Sequence, residues 1–322
     1  MNENALVSVV LPVFCFIGLG YLLVAGRVLK GAIGEALADF VFKVAIPFHL
    51  FRAIATLELP DINPWPFWLA YFGGAAVNIA LAVIIIQRVF GRDARVGVIA
   101  GMCASYSNIV MAGMPMVTQA FGEPGLVTIL LLIAVHVPVM MTVSAVMIEI
   151  AEVRDGTRGK VDLLSAMGRV IVNLAQNQFI IAIVAGALWR MTGWTIPALP
   201  LNVLERLGET SIPLALVALG MSLHQYGIKG NILPAIAIGS VKLLVMPVVV
   251  FVLARFVFDL PPLAVAVAVV AAACPTGANA YLIATRFQTG LALSANTITL
   301  TTALSLLTVG IWFSFLPPIE GV

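Results

Sequence analysis

Two short polar stretches carry the residues best equipped to hold a solute. One reads Cys103-Ala104-Ser105-Tyr106-Ser107-Asn108, with Gly113 and Pro115 just beyond; the other reads Cys274-Pro275-Thr276-Gly277-Ala278-Asn279. Each interrupts a long apolar run. An unpaired backbone N–H or C=O in hydrocarbon costs on the order of several kcal/mol, so helix-breaking residues survive at membrane depth only where protein or a wet cavity satisfies them. Two matched interruptions point to a binding site of the transporter kind, made from broken helices.

Peptide groups supply the chemistry expected there. At each break one half-helix ends in free carbonyls and the next begins with free N–H groups, carrying about half a positive charge at that N-terminal end. Two such breaks crossing near the bilayer midplane offer donors to an anion and acceptors to a cation. Asn108 and Asn279 are expected to serve both as caps and as ligand donors, because an asparagine oxygen accepts from the second or third N–H of a helix. Ser105, Ser107 and Thr276 add hydroxyls. Pro275 removes an N–H and Gly277 admits unusual dihedrals, which together open the second break.

The elements that must hold these residues are membrane helices. With 61% apolar and 10% charged residues over 322 positions, the chain has more apolar surface than a soluble core would bury; its mean hydropathy is +1.10. A spanning helix needs roughly 20 mostly apolar residues, and ten such stretches are expected at 5–26, 32–56, 66–89, 95–117, 124–149, 169–191, 202–225, 231–256, 261–286 and 290–317. The start Met1-Asn2-Glu3-Asn4 carries no basic residue and no small-residue cleavage pattern closes the first run, so the first span is expected to be retained. Cys15, Cys103 and Cys274 show no metal-ligand spacing and read as packing residues.

Eleven basic residues fall on one side of this topology (Arg27, Lys30, Arg88, Arg92, Arg95, Arg154, Arg158, Lys160, Arg169, Lys229 and Arg286). Four fall on the other, namely Arg52, Arg190, Arg206 and Arg255. The richer side is expected to be cytoplasmic, which leaves both termini outside the cytoplasm, in a bacterial inner (plasma) membrane. The charged stretch at 150–168 is a connector between residues 1–149 and 169–322, and no soluble domain is expected.

Those two parts read as related halves. An offset of 166 residues places Ile46-Pro47 on Ile212-Pro213 and Asp93 on Asp259, and an offset of 171 places Ser105 on Thr276 and Asn108 on Asn279. The second offset implies about five extra residues near Pro261-Pro262. Because each half has five spans, the second enters from the opposite side, and the repeat is inverted. The fold class expected is all-α and polytopic, with ten spans in two inverted five-helix repeats and broken, crossing helices four and nine.

Charges inside spans are costly and usually paired or functional. Lys43 has Asp39 four residues earlier on the same face, an internal acid–base pair that is either structural or used in ion coupling. Lys242, with no acid on its own helix, must reach water, carbonyls or another span; attraction of an anionic substrate is one use. His136, near Pro138, is the histidine placed to carry a proton, although a packing role is the ordinary one. Asn78 lacks a matched break and reads as a helix–helix hydrogen-bonding residue; Gly18-Leu19-Gly20 and Gly73-Gly74 read as close-packing surfaces.

The stretch Ser105-Tyr106-Ser107-Asn108-Ile109-Val110-Met111-Ala112-Gly113-Met114-Pro115, with Pro275-Thr276-Gly277-Ala278-Asn279-Ala280-Tyr281, resembles the fourth and ninth spans of the auxin efflux carrier family, whose bacterial members are often described as malonate or malate permeases. The resemblance covers essentially the whole chain. It implies a scaffold of spans 1, 2, 6 and 7, a transport domain of spans 3–5 and 8–10 that moves like an elevator, a fold shared with bile acid/sodium symporters, and a homodimer formed through the scaffold. The plant carriers have proline where this chain has Ser107, which implies a less sharply unwound first crossing and puts auxin itself in doubt as the substrate.

Enzyme chemistry is not expected. No His-Glu-x-x-His, no Gly-x-Ser-x-Gly, no phosphate-cradling loop and no basic face for nucleic acid is present. No cofactor or metal is expected, and transport would draw on an ion gradient (H+ or Na+), the membrane potential or the substrate gradient. The reading is a secondary transporter or facilitator of a small organic anion, a mono- or dicarboxylate, embedded in membrane lipid. A sodium-coupled symporter of bile-acid type and a non-transporting receptor or scaffold are the alternatives.

Overall fold

The structure, a computed structural model, describes residues 9–57, 63–156, 168, 172, 175–228 and 230–316. Among them there is no strand. The helices are α1 (Leu11–Ala25), α2 (Gly31–Phe40), α3 (Ile46–Thr56), α4 (Pro64–Ile84), α5 (Ala94–Ser105), α6 (Met114–Arg154), α7 (Gln178–Met191), α8 (Ala198–Tyr226), α9 (Leu233–Ser240), α10 (Met246–Val252), α11 (Pro262–Ala273), α12 (Asn279–Arg286) and α13 (Leu291–Phe315). Among the described residues, five stretches are long and apolar enough to cross a membrane: Pro64–Val89, Ile109–Arg154, Ala198–His224, Leu233–Val257 and Leu291–Phe315. The chain is an all-α membrane protein.

Several helices are joined end to end through a single wider π-type turn. Two of these turns, Val41–Ala45 and Val241–Val245, run directly into Ile46-Pro47 and Met246-Pro247. A proline inside a helix removes one N–H and crowds the carbonyl four residues back, and a widened turn at that point accommodates both defects. Within α6, Gly122 leaves helical geometry at φ 58° and ψ −149°, so the long helix bends there into two limbs.

The polar stretches do end helices. Cys274 precedes Pro275, which disfavours helical backbone for it; Cys274 is extended at φ −56° and ψ 149°, and α11 stops at Ala273. The first break has no proline. There α5 stops at Ser105, and a new helical segment (Ile109–Gly113, continuing into α6) starts behind Asn108. The first interruption spans residues 106–108 and the second 274–278, so the position held by Ser107 goes with the shorter unwinding.

α5 and α11 each have 12 residues and end 168 positions apart, at Ser105 and Ala273. At the crossing, the bridge partner of Thr276 is Ser107 rather than Ser105.

Another departure lies in the stretch expected to span 169–191. Asn177 Oδ1 accepts from the N–H groups of Phe179 and Ile180 at 2.9 and 3.3 Å, so α7 starts afresh at Gln178. Most of the 150–168 connector, residues 169–174 apart from Val172, and Arg158, Lys160, Arg169 and Lys229 lie outside the described residues.

Two groups of helices have the most intimate packing. In the first, α1 and α2 lie against α8, and α3 lies against α7 and α8. Gly20 and Gly220 make the α1–α8 crossing close, since a Cβ on Gly20 would overlap the Val217 carbonyl and one on Gly220 the Ile17 carbonyl. Gly18, by contrast, has nothing within 4 Å of such a Cβ. In the second group α4 packs on α5 and α10, α11 on α6, α10 and α13, and α9 on α13. The Asp155 carboxylate accepts from the N–H groups of Ala94 and Arg95, both at 3.1 Å, capping the start of α5.

Candidate functional site: a crossing of two unwound segments

The two interruptions meet. Asn108 N donates to the Pro275 carbonyl at 2.8 Å and Gly277 N donates to the Tyr106 carbonyl at 2.7 Å, which makes Ser107 and Thr276 an antiparallel bridge pair. Backbone groups released by each broken helix are thus satisfied by the other. A Cβ on Gly277 would lie 3.2 Å from the Ser107 carbonyl oxygen, and Gly277 is not among the residues with positive φ. Its glycine permits close approach of two backbones; the unusual dihedral expected from the sequence is not what it supplies.

Side chains lock the crossing from behind. Thr276 Oγ1 donates to the Cys103 carbonyl at 2.6 Å, and Thr276 N donates to Thr301 Oγ1 at 3.1 Å. Ser105 Oγ donates to the Gly101 carbonyl at 2.6 Å. Lys242, fully buried, directs Nζ to Ser107 Oγ (2.9 Å), the Ala272 carbonyl (2.5 Å) and Met246 Sδ (3.3 Å). Asn78 Nδ2 reaches the carbonyls of Ala104 and Val241 at 2.9 and 3.2 Å, tying α4 to the end of α5 and the turn after α9.

In front of the crossing is a pocket of about 420 Å³ whose lining includes Ser107, Asn108, Gly277, Asn279, His136 and Asp39. Ser105, Pro275, Thr276 and Lys242 do not line it. The asparagines behave differently. Asn108 caps its helix, Oδ1 accepting from Met111 N at 3.3 Å, and its buried Nδ2 has no protein partner. Asn279 is not a cap: Ala278 holds that position, and Asn279 Nδ2 donates to the Tyr106 hydroxyl at 2.8 Å. The Tyr106 ring in turn meets His136 edge to face, with centroids 4.9 Å apart, and Tyr71 packs on His136 at 5.5 Å. Neither imidazole nitrogen is in hydrogen-bond geometry with a protein group.

Asp39 and Lys43 pair at 2.7 Å, yet their side chains are 67% and 56% exposed, so the pair lies open beside the pocket instead of being an internal one. Sequence reasoning missed Tyr106, Asn177, Gln178 and Glu35, which also line the pocket. Asn177 had a legible signal, an asparagine opening an apolar helical run. Among the described residues, no lysine or arginine lines the pocket and no cluster of three potential metal ligands occurs. What the pocket presents to an anion is amide hydrogen and two nearby helix starts, at Ile109 and Asn279.

Comparison with known proteins agrees with a transport role. A protein of Rhizobium meliloti (strain 1021) named "Putative malonate transporter" is 27% identical over 312 residues, covering 94% of this chain and 93% of the relative. Residues 5–313 match the family model described as membrane transport protein, which is that of the auxin efflux carriers. With the match running through both breaks and nearly the whole chain, the chain belongs to this family of membrane transport proteins and is a transporter rather than an enzyme.

Proposed function

We propose that the chain is a secondary carrier of small organic anions, carboxylates of malonate size, that binds its substrate at the crossing and works by alternating access. The observation that carries this reading is Asn108: a buried amide with an unpartnered Nδ2, beside two helix starts, on the wall of a cavity large enough for such a solute. An unsatisfied buried donor is costly, and a bound carboxylate oxygen would relieve that cost.

In this reading the spans number ten: α1, α2–α3, α4, α5 with the first limb of α6, the second limb of α6, α7, α8, α9–α10, α11–α12 and α13. They form two inverted repeats. In support, π-type turns at Ile85–Val89 and Leu253–Val257 close α4 and α10, and each is followed by a residue with positive φ, Gly91 (62°) and Asp259 (44°), 168 positions apart. The frame is α1–α3 with α7 and α8, and the remaining helices move as a unit carrying the crossing. The two packing groups and their sparser mutual contacts favour that division. A homodimer through the frame and an inner-membrane location with termini outside complete the proposal.

Uptake of labelled malonate into proteoliposomes tests it. Asn108→Ala is expected to abolish uptake while the purified protein stays folded, its thermal midpoint lowered only by the loss of the cap on Met111 N, about 0.5–2 kcal/mol. Wild-type uptake in both Asn108→Ala and Asn279→Ala would remove the crossing from the transport site.

A further inference from the structure

We infer that the pocket takes its substrate as a singly charged carboxylate bearing its own hydrogen-bond donor, so that a dicarboxylate enters half-protonated. This rests on the crossing being the binding site.

The two asparagines present opposite chemistry. Asn108 commits its oxygen to Met111 N and offers Nδ2, a donor suited to a carboxylate. Asn279 commits Nδ2 to the Tyr106 hydroxyl, which turns Oδ1 into the group available to a ligand, and an amide oxygen only accepts. A dianion fits the first group and meets the second with nothing to donate. The half-protonated acid satisfies both, as does a carboxylate with a hydroxyl.

Charge argues the same way. Among the described residues, the titratable groups facing the pocket are Glu35 and Asp39 of α2, Tyr106 and His136. Lys43 beside it is engaged by Asp39, and Lys242 is turned behind the crossing to Ser107 and Ala272. A second carboxylate charge would enter beside Glu35 and an Asp39 already paired with Lys43, with no cationic side chain among the described residues of the wall to receive it. Much of the remaining wall is apolar, including Phe42, Val110, Phe179 and Leu282. The proton rides on the substrate, taken from solution on one side and released to it on the other, so one proton accompanies each dicarboxylate without a protein group having to bind it.

The test is titration calorimetry of the full-length purified chain with malonate, 3-hydroxypropionate and propionate between about pH 6 and pH 8. If only the half-protonated form binds, the apparent malonate affinity falls by about tenfold per pH unit above malonate's second ionisation, in step with the competent fraction. The affinity for 3-hydroxypropionate, which does not titrate there, stays flat and exceeds that for propionate. Tyr106→Phe frees the Asn279 amide to rotate and erases the preference for 3-hydroxypropionate over propionate, with propionate binding reporting that the variant is folded. A pH-independent malonate affinity overturns the proposal, as do a parallel pH shift for malonate and 3-hydroxypropionate, which assigns the titration to the protein, and equal binding of 3-hydroxypropionate and propionate to the wild type. Failure of all three ligands at every pH overturns the binding site itself.

Discussion

Ser107 and Thr276, 169 positions apart in sequence, are bridge partners whose flanking peptide groups exchange two hydrogen bonds, Asn108 N to Pro275 O and Gly277 N to Tyr106 O. Each unwound segment is the hydrogen-bonding surface on which the other closes. Neither interruption would be tolerable alone in an apolar environment, so the two breaks stand or fall together.

Thr276→Val tests that dependence. The substitution keeps shape but removes the donor to the Cys103 carbonyl, leaving a buried acceptor unpaired. The cost expected is about 1–3 kcal/mol, seen as a lower thermal unfolding midpoint in detergent together with reduced uptake. An unchanged midpoint would mean that the carbonyl finds another donor and that the crossing is less tightly specified than its bonds imply.

Lys242→Met separates a supporting role from direct contact with solute. Methionine fills a similar volume, while the loss of Nζ deprives the Ala272 carbonyl and Ser107 Oγ of their donor. Because Nζ does not line the pocket, the expected outcome is a loss of stability of about 1–3 kcal/mol with ligand affinity reduced less than about tenfold, or about 1.4 kcal/mol. Loss of binding at an unchanged unfolding midpoint would place the amine in contact with the solute.

The sequence made the breaks legible because proline, glycine and asparagine stand out in an apolar run, and the same contrast exposed Asn108 and Asn279 as binding candidates. Their difference was not legible. Which amide atom stays free depends on Met111 N for one and on the Tyr106 hydroxyl, 173 positions away, for the other. Tyr106 itself looks like any core aromatic until its hydroxyl is placed. The chief partner of Lys242 is a main-chain carbonyl, Ala272, which carries no side-chain signature at all. Sequence periodicity also joined residues 169–191 into one span, because a polar Gln176-Asn177-Gln178 beside an apolar run counts as a few weak positions rather than as a helix start.

Asp39→Asn is expected to leave stability nearly untouched. Its partner Lys43 is on the same helix and both side chains are more than half exposed, a setting in which an ion pair contributes about 0–1 kcal/mol. The measurement that matters is uptake at several pH values. If the carboxylate at the pocket edge repels a second negative charge, its removal raises the malonate affinity most at high pH, where the dianion predominates; a uniform loss of uptake at all pH values would instead give Asp39 a coupling role.

Gly220→Ala probes the frame. The glycine sits where α8 crosses α1, and a single added carbon would overlap the Ile17 carbonyl, which is backbone and has no rotamer through which to withdraw. The helices must therefore separate along their most intimate contact, and overpacking of this kind costs about 1–3 kcal/mol. Gly18→Ala makes the matched control, with open space around the added carbon and a better helix former in place of glycine. A marked drop in unfolding midpoint for Gly220→Ala beside an unchanged or raised one for Gly18→Ala is the expected pair of results. Equal midpoints would show that α1 is free to shift against α8, and a frame that yields so easily would be a poor surface for the rest of the molecule to move against.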